Sequence, residues 1–465
     1  MKSIEDFLYP ILGIYNKLPL QLRNAIGILY RFLPTKIRYG TFYRQYMVRV
    51  DNFAENNKRE NEKKTERLLL QQINFAIEKI PYYKKFSILN NVNELYKLPI
   101  ITKDIINKNP SLFITKNLEQ KSLKSNTGGS SGSPFTFFIE KGVTRPKEAA
   151  HFNQYWGNYG YHSGDRVLMI RGKSLRDNAD YELQTIGNKL VISCYNLNQD
   201  SIGEIHAQIQ KFKPKFIHAY PSSLLTFTKE FQLYLGKNAA DFNVQSIFLG
   251  SEKLDASDQF YFENFYQTKV ITWYGHSECL IHGAKCEISG DYHFSPFYGY
   301  LELVDENDKI INIPGTEGKI IATGFDNKVM PLIRYDTGDL GVYCDSTKCK
   351  CGFEGKSLSK IVGRGKDLII LRDLTKITLT AFIFGQHHSE FDRIKEIQLI
   401  QNEAGHLIVK IVPLNIFSIK DQEKLKQKLI SSVKNNLLSI KIELVEKTEK
   451  THRGKHKLLI QNIDI

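Results

Sequence analysis

The spacing of apolar positions changes three times along the chain. Residues 1–110 carry apolar side chains at helical intervals within polar surroundings, both around Leu8, Ile11, Tyr15, Ile26, Leu29 and Phe32 and along Glu55–Ile80, so this region is expected to be mostly helical. Short β-rich runs then alternate with helix-length segments. Phe135–Ile139, Arg166–Ile170, Phe216–Ala219, Ser246–Leu249 and Val270–Tyr274 are predicted strands, and Leu224–Leu235 is one of the intervening helices. That alternation predicts α/β layers. From 292 to 345 the strands shorten, as in Tyr300–Val304, Gly318–Ala322 and Gly338–Tyr343, and turn residues divide them into a small β-rich subdomain. In the tail, Ile394–Gln401 and His406–Val412 flank a turn at Asn402–Gly405, Ile419–Leu438 has helical spacing, and Ile440–Val445 is another strand. The tail therefore predicts a compact α+β unit of its own.

Composition narrows the class. A chain of 465 residues exceeds one ordinary domain, and 42% hydrophobic with 25% charged residues suits a globular enzyme and argues against extensive disorder. The 64 Lys and Arg outnumber the 50 Asp and Glu, so the surface should attract acidic ligands. The densest charge runs, Lys58–Arg67 and Glu446–Lys457, mix both signs, which argues against a nucleic-acid footprint. No stretch approaches the roughly 20 apolar residues of a membrane span, and the N-terminus lacks a basic region followed by an apolar core. A cytoplasmic location is expected. The apolar pattern of residues 7–34, set among Lys17, Arg23 and Arg31, is expected to pack against the main body, with a peripheral membrane contact as the lesser alternative.

Candidate chemistry begins at Ser125–Pro134, SNTGGSSGSP, where three glycines and five hydroxyl side chains fall within ten residues. Glycine lets backbone N–H groups approach an anion closely, and the hydroxyls add donors, so the segment can cradle phosphate; taken alone it could equally be a flexible connection. Four motifs follow in order: Tyr274-Gly275-His276-Ser277-Glu278, Arg334-Tyr335-Asp336-Thr337-Gly338-Asp339, Gly363-Arg364-Gly365-Lys366-Asp367 and Arg453-Gly454-Lys455. With the glycine-rich loop, the lead-in LPIITKDI and the segment AYPSSL at Ala219–Leu224, this ordered set resembles the adenylate-forming (AMP-binding) superfamily, specifically its phenylacetate-CoA ligase and CapK-like capsule-biosynthesis branch.

The resemblance implies a large N-terminal AMP-binding core over residues 1–365 and a mobile C-terminal lid over 366–465, hinged at Lys366. It also implies roles for individual residues. Thr127, Gly128, Gly129, Ser130, Ser131 and Gly132 would hold the pyrophosphate end of ATP, Glu278 would hold Mg²⁺, and Tyr274, beside Gly275 and Ser277, would stack on adenine. Gly250, Ser251 and Glu252 resemble the adenine-edge segment, Asp339 would accept from the ribose hydroxyls, and Arg364 would support ribose or phosphate. Lys455 would meet the negative charge that develops between carboxylate and α-phosphate, a task suited to a compact ammonium. The chain departs from the family pattern at Lys366, where an acidic hinge residue is common, at Ser133 before Pro134, where many members have lysine, and at Ser277, where threonine is usual. The acid would be lined by Trp156, Tyr159, His218, Tyr220 and Ser222, aromatics that could equally be core.

The six cysteines carry no secretion signal with them, so disulfides are not expected. Cys286, His293, Cys349 and Cys351 form a Cys₃His set suited to a closed, structural zinc site, and the branch has comparable examples; His282 and Cys344 are reserve ligands, and the alternative is a group of small buried side chains. The combined expectation is an ATP- and Mg²⁺-dependent, AMP-forming ligase. It would activate a small or glycan-linked carboxylate in surface-polysaccharide assembly and pass it to CoA, a carrier thiol or an amine. The alternatives are an aryl- or acyl-CoA ligase, and a non-catalytic nucleotide- or glycan-binding scaffold on the same fold.

Overall fold

The computed structural model describes residues 12–15, 17–118, 121–126, 136–171, 175, 179–193, 197, 199–235, 242–252, 254–344, 349–364, 368–374, 376–378, 390, 393–431, 433, 437–449 and 458–463. Helices dominate the first hundred of these residues. A single turn, α1 (Leu12–Tyr15), leads to α2 (Leu20–Phe32) and then to α3 (Thr35–Glu55), which bends at Gly40, where φ is +78°. The helix expected over Glu55–Ile80 instead begins at Lys58, as α4 (Lys58–Lys79). Asn57 caps it, accepting from the Glu60 N–H while the Glu60 carboxylate accepts from the Asn57 N–H. A short α5 (Lys103–Lys108) follows, capped by the Thr102 hydroxyl.

Contrary to expectation, α2 does not bury its apolar side. Leu22, Ile26, Leu29 and Phe32 are 53%, 38%, 68% and 82% exposed, whereas Gly27 and Tyr30 face the body. Helical periodicity identified two faces, and the polar one turned inward.

Strands β1 (Ser122–Asn126) and β2 (Thr136–Glu140) pair antiparallel, with Asn126 opposite Thr136, and so bracket the glycine-rich segment. After α6 (Thr144–Gly157) come β3 (Val167–Arg171), the strands β4 (Tyr181–Gln184) and β5 (Lys189–Ser193), α7 (Gln199–Phe212), β6 (Phe216–Ala219), α8 (Pro221–Leu235), β7 (Ser246–Leu249), α9 (Ala256–Tyr266) and β8 (Lys269–Gly275). Strands β5, β3, β6, β7 and β8 run parallel in that spatial order, and β4 adds to the edge antiparallel. Residues Ser246–Leu249 are all buried, as in a parallel strand covered on both faces. On one face α7, α8 and α9 supply Ile205, Phe227, Phe231 and Phe262; α6 covers the other with Tyr155 and Trp156. Full burial of each phenylalanine contributes about 1.5–3 kcal/mol.

The β-rich region joins this layer edge to edge. It consists of β9 (His282–Lys285), β10 (Tyr292–Phe294), β11 (Gly299–Val304), β12 (Glu317–Gly324), β13 (Tyr335–Cys344) and β14 (Ser357–Arg364), and β8 carries the join. Lys269–Thr272 pair parallel with β7, whereas Trp273–Gly275 pair antiparallel with β9, giving one twelve-stranded sheet. The apolar face of α4, with Leu69, Ile73 and Ile77, packs on this half together with Ile101, Phe113 and Ile320.

A separate core occupies the tail. After the pair β15 (Leu368–Ile370) and β16 (Lys376–Thr378), the strands β17 (Ile394–Glu403), β18 (His406–Pro413), β19 (Ser439–Leu444) and β20 (Leu459–Gln461) form a sheet in the order β19-β18-β17-β20, against which α10 (Ile419–Ser431) buries Leu425 and Leu429. The helix expected to reach Leu438 stops at Ser431. Leu437 and Leu438 lie outside it, and Leu438 is a core residue at the entry to β19. This unit meets the larger body where Lys229 of α8 donates to the Ile394 carbonyl at 2.9 Å and Lys395 pairs with Glu230 at 2.6 Å.

Candidate active site

The change from parallel to antiparallel pairing within β8 separates two adjacent side chains. Successive strand residues point to opposite faces, so Trp273 turns toward α6 while Tyr274 turns toward β13. There the Tyr274 hydroxyl donates to Asp339 Oδ2 at 2.7 Å. Burial, reinforced by the Asp339 charge, holds the phenol pKa well above its ordinary value, so the hydroxyl stays a donor. Beyond β8 the chain leaves the sheet, Cys279 takes a φ of +57°, and Glu278 comes to rest where its Oε1 accepts from the Tyr335 hydroxyl at 2.9 Å. Arg364 stands opposite Asp339 in the β13–β14 register, and its side chain lies outside the described residues.

The start of β13 is held from three sides. Ile101, from the lead-in segment, donates its N–H to the Arg334 carbonyl at 2.9 Å and accepts from Asp336 N–H at 2.9 Å. Arg334, at a φ of +50°, buries its guanidinium against Glu302 with a closest approach of 3.0 Å, and donates to the Leu98 carbonyl at 2.6 Å. At the following turn, Gly338 has a φ of +76° and donates to Asp336 Oδ1. A second brace lies beside Glu278. Lys147 of α6, buried, is 3.2 Å from Asp326 and donates to the Tyr298 carbonyl at 2.8 Å, while Arg49 pairs with the same Asp326 at 2.8 Å. A small cleft lined by Thr144, Lys147, Glu278, Asp326 and Asn327 opens there.

The opposite face of β8 is aromatic. Trp156 stacks on Phe248 at 4.4 Å between ring centroids, with His218 and Trp273 at 5.0 and 5.8 Å. Gly250 is needed at this point, because a Cβ there would lie 2.6 Å from the Trp273 ring. Ser251, next to it, has a φ of +71°. Tyr159 borders the same group through Phe248, and burial raises its pKa to about 12. Tyr220 is drawn elsewhere. Its ring lies under the Arg171 guanidinium at 4.3 Å, and Arg171 also reaches His218 at 3.2 Å; burial, then that positive charge, hold the imidazole pKa well below its ordinary value.

The four cysteine and histidine residues converge. The ligand atoms of Cys286, His293, Cys349 and Cys351 all lie within 4.8 Å of one another, with Cys286 Sγ to Cys349 Sγ at 3.8 Å and Cys351 Sγ to His293 Nδ1 at 3.7 Å. A tetrahedral ion bound to sulfur at about 2.3 Å and nitrogen at about 2.0–2.1 Å requires separations of roughly 3.8 Å and 3.6 Å, so the donor set fits zinc. The reserve ligands His282 and Cys344 are not among the four donors.

Over 97% of this chain and 99% of the other, the sequence is 23% identical to protein CapK of Staphylococcus aureus, and the family of CapK C-terminal domains matches residues 374–462. The phenylacetate-coenzyme A ligase of Thermus thermophilus is 28% identical over 35% of this chain and 37% of its own. These matches support the resemblance to the adenylate-forming superfamily. The chain's fold matches a 2-hydroxyisobutyryl-CoA ligase in the postadenylation state in complex with R3-HIB-AMP, with a TM-score of 0.65 and 17% identity over 87% of this chain and 90% of that one.

Of the residues that the adenylate-forming resemblance singled out, Tyr274, Glu278 and Asp339 meet at one sheet edge, with Gly250 and Trp156 across β8. The glycine-rich residues 127–132, Lys366 and Lys455 lie outside the described residues, as does the side chain of Ser222. Sequence reasoning missed Tyr335, which sat unassigned inside a recognised motif, and the brace of Lys147 and Asp326, 179 residues apart and therefore without a local signal. Arg171 left one trace, a cation at the carboxyl end of a parallel strand, where ligands of open α/β sheets gather.

Proposed function

We propose that this protein is an ATP-dependent, AMP-forming carboxylate ligase. The observation that carries the reading is the meeting of Tyr274, Asp339, Tyr335 and Glu278 at the end of β8. In the first step a carboxylate oxygen attacks the α-phosphorus of ATP and pyrophosphate leaves, giving an acyl-adenylate. In the second a thiol or amine attacks the acyl carbon, AMP departs with the bonding electrons, and the nucleophile loses its proton. Tyr274 packs against the adenine and positions Asp339, which accepts from the ribose hydroxyls. Glu278, fixed by Tyr335 and flanked by the buried Lys147–Asp326 pair, is the hard oxygen ligand for Mg²⁺, which neutralises phosphate charge when bound. Residues 127–132 cradle the leaving phosphates, Arg364 supports the nucleotide, Lys455 stabilises the charge between the reacting groups, and residues 366–465 act as a lid hinged at Lys366. Cys286, His293, Cys349 and Cys351 would hold a structural zinc that would tie β10 to the loop before β14, apart from the chemistry.

The acid is received on the Trp273 face, beside Gly250, Trp156 and His218. The sequence resemblance to the capsule-biosynthesis branch favours an acid used in surface-polysaccharide assembly, whereas the likeness to phenylacetate-CoA ligases favours an aryl acid and CoA. ATP–pyrophosphate exchange with Mg²⁺, run over pools of aryl, fatty, amino and uronic acids without any acceptor, tests adenylation and sorts the acids. Exchange in one pool, abolished by Lys455→Ala with ATP binding retained, supports the reading; ATP binding with no exchange in any pool removes it. Acyl transfer to added CoA, followed by thioester formation, then separates the two acceptor classes.

A further inference from the structure

Helix α2 is mounted with its polar side on the protein. Thr185, at the end of the β4 edge, pins it in three ways: its hydroxyl donates to the Arg23 carbonyl at 2.6 Å, its carbonyl accepts from Arg31 at 2.7 Å, and its backbone lies where a Cβ on Gly27 would come within 2.6 Å. Tyr15 reaches the same hydroxyl at 2.6 Å, and Arg23 contacts Glu182 at 3.5 Å. These contacts fix the rotation of the helix, leaving Leu22, Ile26, Leu29 and Phe32 outward with Ile14 ahead of them, itself 66% exposed. Scattered exposed apolar residues are ordinary, but one stripe along one helix is not.

We propose that this face docks on the surface of an anionic lipid bilayer. Charge selects the occupant. Between Phe7 and Val50 the chain carries seven Lys or Arg and no Asp or Glu; Arg23, Arg31 and Arg49 are engaged on the protein and Arg38 is buried, while Lys17 and Arg44 are exposed. Such a segment is attracted to anionic headgroups, each cation near the surface adding to the apolar insertion. A second copy fits less well. The chain bears a net charge of +14, which opposes self-association, and a helix of 13 residues, about 20 Å long and about 10 Å wide, falls well short of the roughly 800 Å² per partner of a stable interface. Among the described residues no helix is long and apolar enough to cross a membrane, so α2 lies in the interface plane. The proposal is independent of the ligase reading, since none of these side chains belongs to the nucleotide site.

Flotation of the full chain with phosphatidylcholine vesicles, with and without phosphatidylglycerol, tests it. Binding is expected only with the anionic lipid, falling with added salt, and the Ile26→Ser/Leu29→Ser/Phe32→Ser variant should bind more than tenfold more weakly with unchanged thermal midpoint and unchanged pyrophosphate exchange. If that variant misfolds, Phe32→Ser alone, at the most exposed position, should weaken binding severalfold. Failure of the wild type to float with anionic vesicles overturns the proposal. So does equal binding by a folded variant, or a dimer that the substitutions dissociate while no vesicle binding is seen.

Discussion

Replacing Arg334 by Met should unfold the large body more readily and loosen the proposed nucleotide site with it. Arg334 and Glu302 are 3% and 2% exposed, and the guanidinium donates to both carboxylate oxygens through Nε at 3.1 and 3.2 Å and to the Leu98 carbonyl at 2.6 Å. Removing the cation leaves a carboxylate buried without its counter-charge, a defect that costs about 3–5 kcal/mol. Removing both charges is different. In Glu302→Leu/Arg334→Met the apolar pair fills similar space, and the remaining loss is the orphaned Leu98 carbonyl, about 1–3 kcal/mol. The double variant should therefore be more stable than Arg334→Met, and a double-mutant cycle should give coupling of well over 1 kcal/mol. Urea unfolding followed by tryptophan fluorescence measures both. Because the Arg334 carbonyl receives the Ile101 N–H and the next residue holds Glu278, the single variant should also raise the KM for ATP. Stability within about 1 kcal/mol of wild type, or a double variant no more stable than the single, would refute the reasoning.

Asp258 tests the electrostatics of α9. Burial, then the neighbouring Asp255 charge, raises its carboxyl from 3.8 to about 6. A raised carboxyl favours folding in its protonated form, so its contribution is complete below about pH 4 and is lost as pH climbs through about 6. Asp258→Asn should accordingly match wild type near pH 4 and exceed it by about 1–2 kcal/mol at pH 8, after discount for partial exposure and for the lost charge at the helix start; parallel stability curves across that range would exclude the effect. Protein purified without a histidine tag should hold one zinc ion per chain, and chelation or Cys349→Ser should lower its thermal midpoint. Substoichiometric zinc that chelator cannot lower further would count against the site.

Where the sequence disclosed the fold, burial on both faces was the reason. Phe216–Ala219 and Ser246–Leu249 are central parallel strands, buried at every position but the half-buried His218, and the expected and observed limits coincide. Tyr181–Gln184 is an edge strand with all four residues half-buried, and Ser357–Arg364 alternates weakly; neither produced a signal. Leu437 and Leu438 continue the apolar spacing of α10, which explains the overlong helix, since spacing records burial and not chain direction. In α2 the period was correct and the inward face was not, because a helical wheel does not say which side meets the body. Only Gly27, too small to be there for its own packing, marked the contact. The site divides along the same line: Tyr274, Glu278 and Asp339 sit in contiguous motifs, and the zinc set betrays itself by residue type. The braces that hold them, Arg334–Glu302 and Lys147–Asp326, depend on tertiary neighbours.

The change of pairing within β8 accounts for why these motifs belong together. A parallel layer gathers ligands at the carboxyl ends of its strands, but it cannot by itself bring a second wall to that edge. By turning antiparallel after Thr272, β8 pairs with β9 and so extends the sheet through β10 and β14 to β13, which delivers Tyr335 and Asp339 to the place where the chain leaves the sheet toward Glu278. Strand alternation then turns Tyr274 to Asp339 and Trp273 to the aromatic wall with Trp156 and Phe248. On the proposed reading, acid and ATP approach from opposite faces of one strand and meet at its end. Gly250 lets the Trp273 ring lie close against the end of β7, so the aromatic wall reaches the segment that begins at Gly250 with no side chain between them. A ligase built this way can change its acid by repacking one face of β8 while the contacts to Asp339 and Glu278, on the other face, stay as they are.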